Sequence, residues 1–266
     1  MNKNKEIMMN KIPEKPQVAI ILGSGLAYLT EFFKDAVRID YSELNDFPTS
    51  TVMGHKNEFV YGIYKGKGVL AMRGRFHFYE GYSVKNIIKA IHLFKEIGIK
   101  KIIITNAAGG INRDYSPGEI VAIEDIINLA FNNPLIGKNI EEYGTRFPDM
   151  SKVIDEDWLK RIEIRLAKEG NCLKRGTYAW FTGPSFETKS EIKMAEYLGA
   201  DMVGMSTVPE IIAARHCSID LIAYSCVTNF ACGIKEQPLN HEEVILTAKK
   251  ARERFQRVIE ISLEEL

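Results

Sequence analysis

The chain has 266 residues, 35 Lys plus Arg against 35 Asp plus Glu, and 45% apolar residues, which is the balance of a soluble globular protein with zero formal charge. That neutrality argues against a general nucleic-acid binder and against a polybasic membrane tether, both of which need a basic excess. A chain of this length buries roughly 70–75% of the surface its unfolded form exposes, so it needs no staples to fold.

Residues 1–16 hold Lys3, Lys5, Lys11 and Lys15 but no apolar run of signal-peptide length, and are expected to be a flexible extension of a single domain spanning 1–266. Val18 to Leu22 is fully apolar, the pattern of a strand buried on both faces. It runs into Gly23-Ser24-Gly25 and a short helix from Leu26 to Phe33. Strands are predicted at Val37 to Tyr41, Glu58 to Tyr64 and Gly68 to Met72, the last two joined by a hairpin turn. Val84, Ile87, Ile88, Ile91, Phe94 and Ile97 repeat with helical spacing, and Gly98 is placed to stop that helix. Lys101 to Thr105 predicts another buried strand, closed by a turn at Asn106-Ala107-Ala108-Gly109-Gly110.

An irregular stretch from Asn128 to about Asp155, with Pro134, Gly137, Gly144 and Pro148, is long enough to be a functional loop. Helix is expected at Trp158 to Lys168, strand at Tyr178 to Phe181, helix at Glu187 to Leu198 and strand at Asp201 to Met205. Thr207 to Cys217 predicts a helix, Leu221 to Val227 a strand, and Asn240-His241-Glu242-Glu243 a capping box for a last helix with Val244, Ala248, Ala251, Phe255 and Val258 inside. Strands alternating with helices mean an α/β layered domain, and the hairpin strands make its sheet mixed.

Several catalytic motifs fail. Tyr28 stands where G-x-G-x-x-G needs its third glycine, Gly183 to Glu187 lacks the last glycine of a hydrolase elbow, and His241 to Ile245 lacks the second His of a zincin helix. The cysteines Cys172, Cys217, Cys226 and Cys232 form no C-x-x-C pair. No metal site and no cofactor are expected, nor is any stretch apolar enough to span a bilayer. A cytoplasmic protein with reduced thiols is the resulting expectation.

Other segments are dense in chemistry. In Arg73 to Tyr82, an extended backbone would set Arg75, His77 and Tyr79 on one face, with Glu80 beside His77. An Arg fork next to an imidazole suits a tetrahedral anion. Ser24 at a helix start offers a hydroxyl and amides for an oxyanion. Asn106 to Gly110, Met205-Ser206 and Val227-Thr228-Asn229 all end strands, where α/β sheets place ligands.

Six of these segments, in order, resemble the trimeric class of the purine nucleoside phosphorylase family: Gly23-Ser24-Gly25-Leu26, Gly74 to Tyr82, Asn106 to Gly110, Gly183-Pro184-Ser185-Phe186-Glu187-Thr188, Gly199 to Glu210, and Thr228-Asn229. The likeness runs from about residue 17 to the end. It implies a three-layer α/β/α fold with a mixed central sheet, a homotrimer, and phosphorolysis of purine nucleosides, chiefly inosine and guanosine, with inorganic phosphate as co-substrate. Carried over by motif, phosphate would meet Ser24, His55, Arg75, His77, the Ala107 amide and Ser206. The purine would lie on Phe186 and Val203, read by Glu187 and Asn229. The ribose would touch Tyr79, Met205 and His241, with Phe147 donated by a neighbouring subunit. Asn229, Glu187 and His77 would carry the catalysis. Phe230 departs from the animal pattern, which has a basic residue there. The alternatives are a methylthioadenosine phosphorylase and a non-catalytic nucleoside-binding module.

Overall fold

The computed structural model describes residues 3–52, 56–235 and 241–266, with the side chains of 241–245 left aside. The described residues form one nine-stranded mixed sheet. Its strands are β1 (Val18–Ile21), β2 (Lys34–Asp40), β3 (Glu58–Tyr64), β4 (Lys67–Arg73), β5 (Lys101–Gly110), β6 (Glu119–Asn128), β7 (Lys174–Trp180), β8 (Met202–Gly204) and β9 (Asp220–Phe230). In space they run β2-β3-β4-β1-β5-β8-β7-β6-β9, and β9 also pairs with β5. Five strands, β5, β8, β7, β6 and β9, therefore close into a ring, while β2, β3 and β4 extend the sheet through β1.

The central strands are parallel and apolar because both their faces are covered. β1 is buried at every position, and Ile102, Ile103 and Ile104 of β5 and Leu221 to Val227 of β9 are shielded as completely. The hairpin β3–β4 forms as expected, paired in register from Glu58↔Arg73 to Tyr64↔Lys67. The helices are α1 (Lys3–Lys11), α2 (Val84–Ile87), α3 (Lys89–Glu96), α4 (Glu156–Lys168), α5 (Lys189–Tyr197), α6 (Val208–His216), α7 (His241–Lys250) and α8 (Arg252–Glu264). One group packs α1 and α2 on α3, and α3 on α6; another packs α4 and α7 on α8, giving helix layers about the sheet.

Several expectations are corrected. Of the expected extension, residues 3–16 are not loose: α1 docks, and Met8 and Ile12 are buried in the core, an anchorage that the lysine-rich sequence conceals. Asn106 to Gly110 is not a turn but the second half of β5, because its backbone pairs with β9 out to Gly110↔Phe230. The helix expected from Glu187 begins later, since Thr188 is the cap: its hydroxyl accepts from the Glu191 amide while Glu191 bonds back to Thr188. The helix at residues 84–97 breaks at Ile88, and the last helix breaks at Ala251. β6 was not anticipated; it ends where the irregular stretch begins. Ala248, Ala251, Phe255 and Val258 are buried as expected.

Candidate active site

The C-terminal ends of β1, β5, β8 and β9 meet around a cleft of about 800 Å³, open solvent included. Its walls hold Ser24, Arg75, His77, Tyr79, Ala107, Phe186, Glu187, Val203, Met205, Ser206 and Asn229. Sequence reasoning singled out all of these, and the fold brings them together from six separate segments. His55 lies outside the described residues, and so does the side chain of His241, which opens α7. Phe147 is 86% exposed in the 129–155 loop and lines a different hollow, so the chain does not place it in its own cleft.

One half of the cleft is built for an anion. Gly23 makes the approach of β1 to β5 possible: a Cβ there would lie 2.7 Å from Asn106 Cα and 2.8 Å from the Thr105 carbonyl oxygen. Its amide donates to Thr105 Oγ1 at 2.9 Å, which sets the Ser24 turn beside Ala107. Arg75 is 2% exposed. Its Nε sits 2.8 Å from the Glu210 carboxylate, and its Nη1 donates to Ser206 Oγ at 3.0 Å.

The reason given for grouping Arg75, His77 and Tyr79 is corrected. β4 ends at Arg73, and residues 78–80 form a short 3₁₀ turn. Ring stacking instead joins His77 to Tyr79, with centroids 4.7 Å apart and planes 15° from parallel. Glu80 does meet His77, as expected: its Oε1 is 3.0 Å from His77 Nδ1 and accepts from the His77 amide at 2.8 Å. Thr51 donates to Glu80 Oε2 through its amide at 2.6 Å and its hydroxyl at 3.0 Å. Burial works to raise the Glu80 carboxyl, but these hydrogen bonds prevail and hold it at about 2. Burial lowers His77 below the usual imidazole range against the pull of Glu80. A neutral ring with Nδ1–H on the carboxylate leaves Nε2 as its acceptor, suited to the O–H of hydrogen phosphate.

The other half suits a heterocycle. Gly183 has φ +64°, and a Cβ there would sit 2.4 Å from Met205 Sδ, so only glycine lets the 183–187 segment fold over Met205 and Tyr79. Phe186 offers a partly exposed ring, and Val203 a buried apolar wall. Glu187 is 7% exposed, and its Oε1 has no hydrogen-bond partner among the described residues. Burial pushes its carboxyl upward. Asn229 is oriented by its neighbours: Oδ1 accepts from Thr228 Oγ1 at 2.9 Å, and Nδ2 donates to the Phe230 carbonyl at 2.9 Å. The second N–H of that amide remains for a ligand.

Three supporting residues lie within motifs quoted from the sequence, which assign them no role. Glu210 pairs with Arg75 from the first turn of α6, Asn106 Nδ2 donates to Thr207 Oγ1 at 2.9 Å, and Thr228 fixes the Asn229 amide. A charged residue inside the apolar run of α6 was the one available signal.

A profile of the phosphorylase superfamily matches residues 17–264. Purine nucleoside phosphorylase 1 of Geobacillus stearothermophilus is 44% identical over 259 residues, covering 96% of this chain and 93% of that protein. A crystal structure of Schistosoma purine nucleoside phosphorylase with hypoxanthine superposes with a TM-score of 0.93 at 38% identity, covering 99% of this chain and 96% of the other. The Schistosoma mansoni enzyme with inosine gives 0.92 at 38% identity, covering 99% and 95%.

Proposed function

The chain belongs to the phosphorylase superfamily, and we infer that it catalyses the reversible phosphorolysis of purine nucleosides, chiefly inosine and guanosine, as a pentosyltransferase. One observation carries the reading. A single cleft holds the buried Arg75 guanidinium donating to Ser206 and a buried Glu187 carboxylate with one oxygen that has no hydrogen-bond partner among the described residues.

The chemistry follows from that polarity. Phosphate, held by Ser24, Arg75, His77, the Ala107 amide and Ser206, lies under the sugar and attacks C1′. The bond from C1′ to N9 breaks as cationic character grows on the sugar and negative charge gathers on the base. The free N–H of Asn229 donates to the purine at N7 or its 6-position, an interaction that strengthens as the charge develops. Ionised Glu187 accepts from N1–H and from a 2-amino group. Adenine offers a lone pair at N1 and is disfavoured. Phe186 and Val203 flank the purine, and Tyr79 and Met205 line the ribose region; His55 and His241 complete the phosphate and ribose sets. The proposal calls for no metal or cofactor, with phosphate as co-substrate.

The exposed face of the 129–155 loop supports a homotrimer in which Phe147 enters a neighbour's site. Phe131, Ile136, Ile140 and Phe147 are all exposed on it, an apolar surface that favours cover by another subunit. All four cysteines are free, which fits a reducing cytoplasm, and among the described residues no helix is long and apolar enough to cross a membrane.

The test is turnover of inosine, guanosine, xanthosine and adenosine with and without phosphate. The expected result is phosphate-dependent release of hypoxanthine and guanine with pentose 1-phosphate as co-product. Base release without phosphate, binding without turnover, or a preference for 6-aminopurines would each overturn the reading.

A further inference from the structure

Helix α6 starts directly after the Ser206–Thr207 corner, and its first turn carries Glu210. The helix is apolar and buried along most of its length, so a carboxylate there gains no packing and loses its hydration. Glu210 is 2% exposed, and its partner is Arg75, with Nε to Oε1 at 2.8 Å. Replacing a buried ion pair by an apolar pair of similar volume is often neutral or stabilising, so stability alone is a weak account of this one.

Its geometry is a stronger one. A guanidinium is planar and rigid, so a carboxylate held 2.8 Å from Nε as an ion pair limits the directions its terminal nitrogens can take, although Nε–H itself makes no hydrogen bond among the described residues. Here Nη1 is thereby turned toward Ser206 Oγ on the cleft wall. The corner between Ser206 and Glu210 is itself locked. Thr207 has φ +75° and ψ −48°, and the Val208 amide donates to the Ser206 carbonyl at 2.8 Å, a strained γ-turn rarely adopted by a β-branched residue. Asn106 holds the Thr207 hydroxyl, which also contacts Ser206 Oγ at 3.1 Å. One corner thus presents Ser206 and, a turn later, grips Arg75.

We propose that Glu210 is a positioning residue for phosphate: acting through Arg75, it holds the guanidinium in the plane that lets Arg75 and Ser206 face the same oxyanion. It touches neither substrate. The inference rests on the assignment of Arg75 to phosphate. It also has a distinctive sign. Deleting a negative charge beside Arg75 would by itself strengthen anion binding, so weaker phosphate binding reports lost orientation.

Initial rates with phosphate and inosine varied in turn are measured for Glu210→Ala, Glu210→Asp and Glu210→Gln. Ala removes the contact, Asp keeps the charge but withdraws it by one methylene, and Gln keeps the reach and an oxygen beside Nε without the charge. Ala and Asp should raise the phosphate KM about tenfold or more, the scale of one charged hydrogen bond from Arg75 to the anion being misaligned, with the inosine KM unmoved. Gln should restore most of the loss. Asp retains the buried ion pair's charge and carries the test if Ala does not fold. An unchanged phosphate KM in the folded Asp variant, both KM values rising together, or Gln as impaired as Asp would overturn the proposal. Arg75→Ala, assayed alongside, separates the two readings. If it leaves the phosphate KM unmoved, the phosphate assignment fails; if it alone raises that KM, only the role of Glu210 fails.

Discussion

Replacing Glu187 with Gln should make the unliganded protein more stable and the enzyme worse. The carboxylate is almost wholly buried, one of its oxygens has no hydrogen-bond partner among the described residues, and burial pushes its carboxyl upward. A buried polar group left unsatisfied costs about 1–3 kcal/mol, and more when charged. Each kcal/mol recovered should raise the Tm by about 2–4 °C in a protein of this size. The sign fixes the pH dependence. A carboxyl raised by folding favours the protonated form in the native state, so Glu187 weakens the fold as pH rises through its native value. The advantage of Gln should therefore be greatest near neutral pH and fade as the pH falls through about 4, vanishing only once Glu187 is protonated in both states. Activity should move the other way. A hydrogen bond to a charged group is worth about 1.5–3 kcal/mol, so kcat/KM for inosine should fall about 10- to 100-fold. Guanosine should fall further, because its 2-amino group also donates to Glu187. Thermal melts across that pH range without ligand, together with initial rates, measure both effects. A Gln variant no more stable than wild type at pH 7, or equally advantaged near pH 4, would refute the reasoning.

Asn229→Asp places an oxygen where Nδ2 now donates to the Phe230 carbonyl at 2.9 Å, so two acceptors face each other and the donor to the base is lost. Inosine kcat/KM should fall by roughly 10²–10³, and the adenosine-to-inosine ratio should rise; a constant ratio removes Asn229 from the 6-position. Glu80 is held at about 2, so its stabilisation is present above the ordinary carboxylate range and is lost as pH falls through the native value. Glu80→Gln should melt lower at neutral pH, with a shallower decline from about pH 5 to 2 than wild type, and parallel melting curves would exclude the hydrogen bonds to the Glu80 carboxylate as the cause. Phe147→Ala should raise the nucleoside KM by about three- to tenfold, the worth of one aromatic contact, without altering the phosphate KM or the oligomer; a fully active monomer would rule out donation between subunits.

The parts of the fold legible in the sequence are those that burial dictates locally. Val18 to Ile21 and Ile102 to Ile104 are strands because nothing in them tolerates water, and the β3–β4 hairpin announces itself by its turn. The residues lining the cleft were legible as short motifs, and Glu80 could be matched to His77 from their spacing. What escaped was set by distant chain. α1 reads as a solvated lysine-rich segment, yet it packs against α3 and β2 and buries Met8. Asn106 to Gly110 reads as a turn until β9 supplies a pairing partner. Glu210 and Arg75 are 135 positions apart, and no local pattern records that they meet as a buried ion pair.

Thr228 and Asn229 show why even a recognised motif needed the fold to explain it. Adjacent residues of a regular strand point to opposite faces, yet both line the cleft. The register accounts for this. Ala108 pairs with Val227 but Gly109 with Asn229, so β9 carries one extra residue against β5, and that residue is Thr228. A bulge at this point breaks the alternation and turns two consecutive side chains the same way. The hydroxyl of one can then fix the amide of the other, which is the contact observed. Beside the bulge, Gly109 and Gly110 leave room for this bend: a Cβ on Gly110 would lie 2.9 Å from Val227 Cγ1. The small residues of β5 and the polar pair of β9 are thus one device, in which the strand that loses its side chains makes space for the strand that aims them.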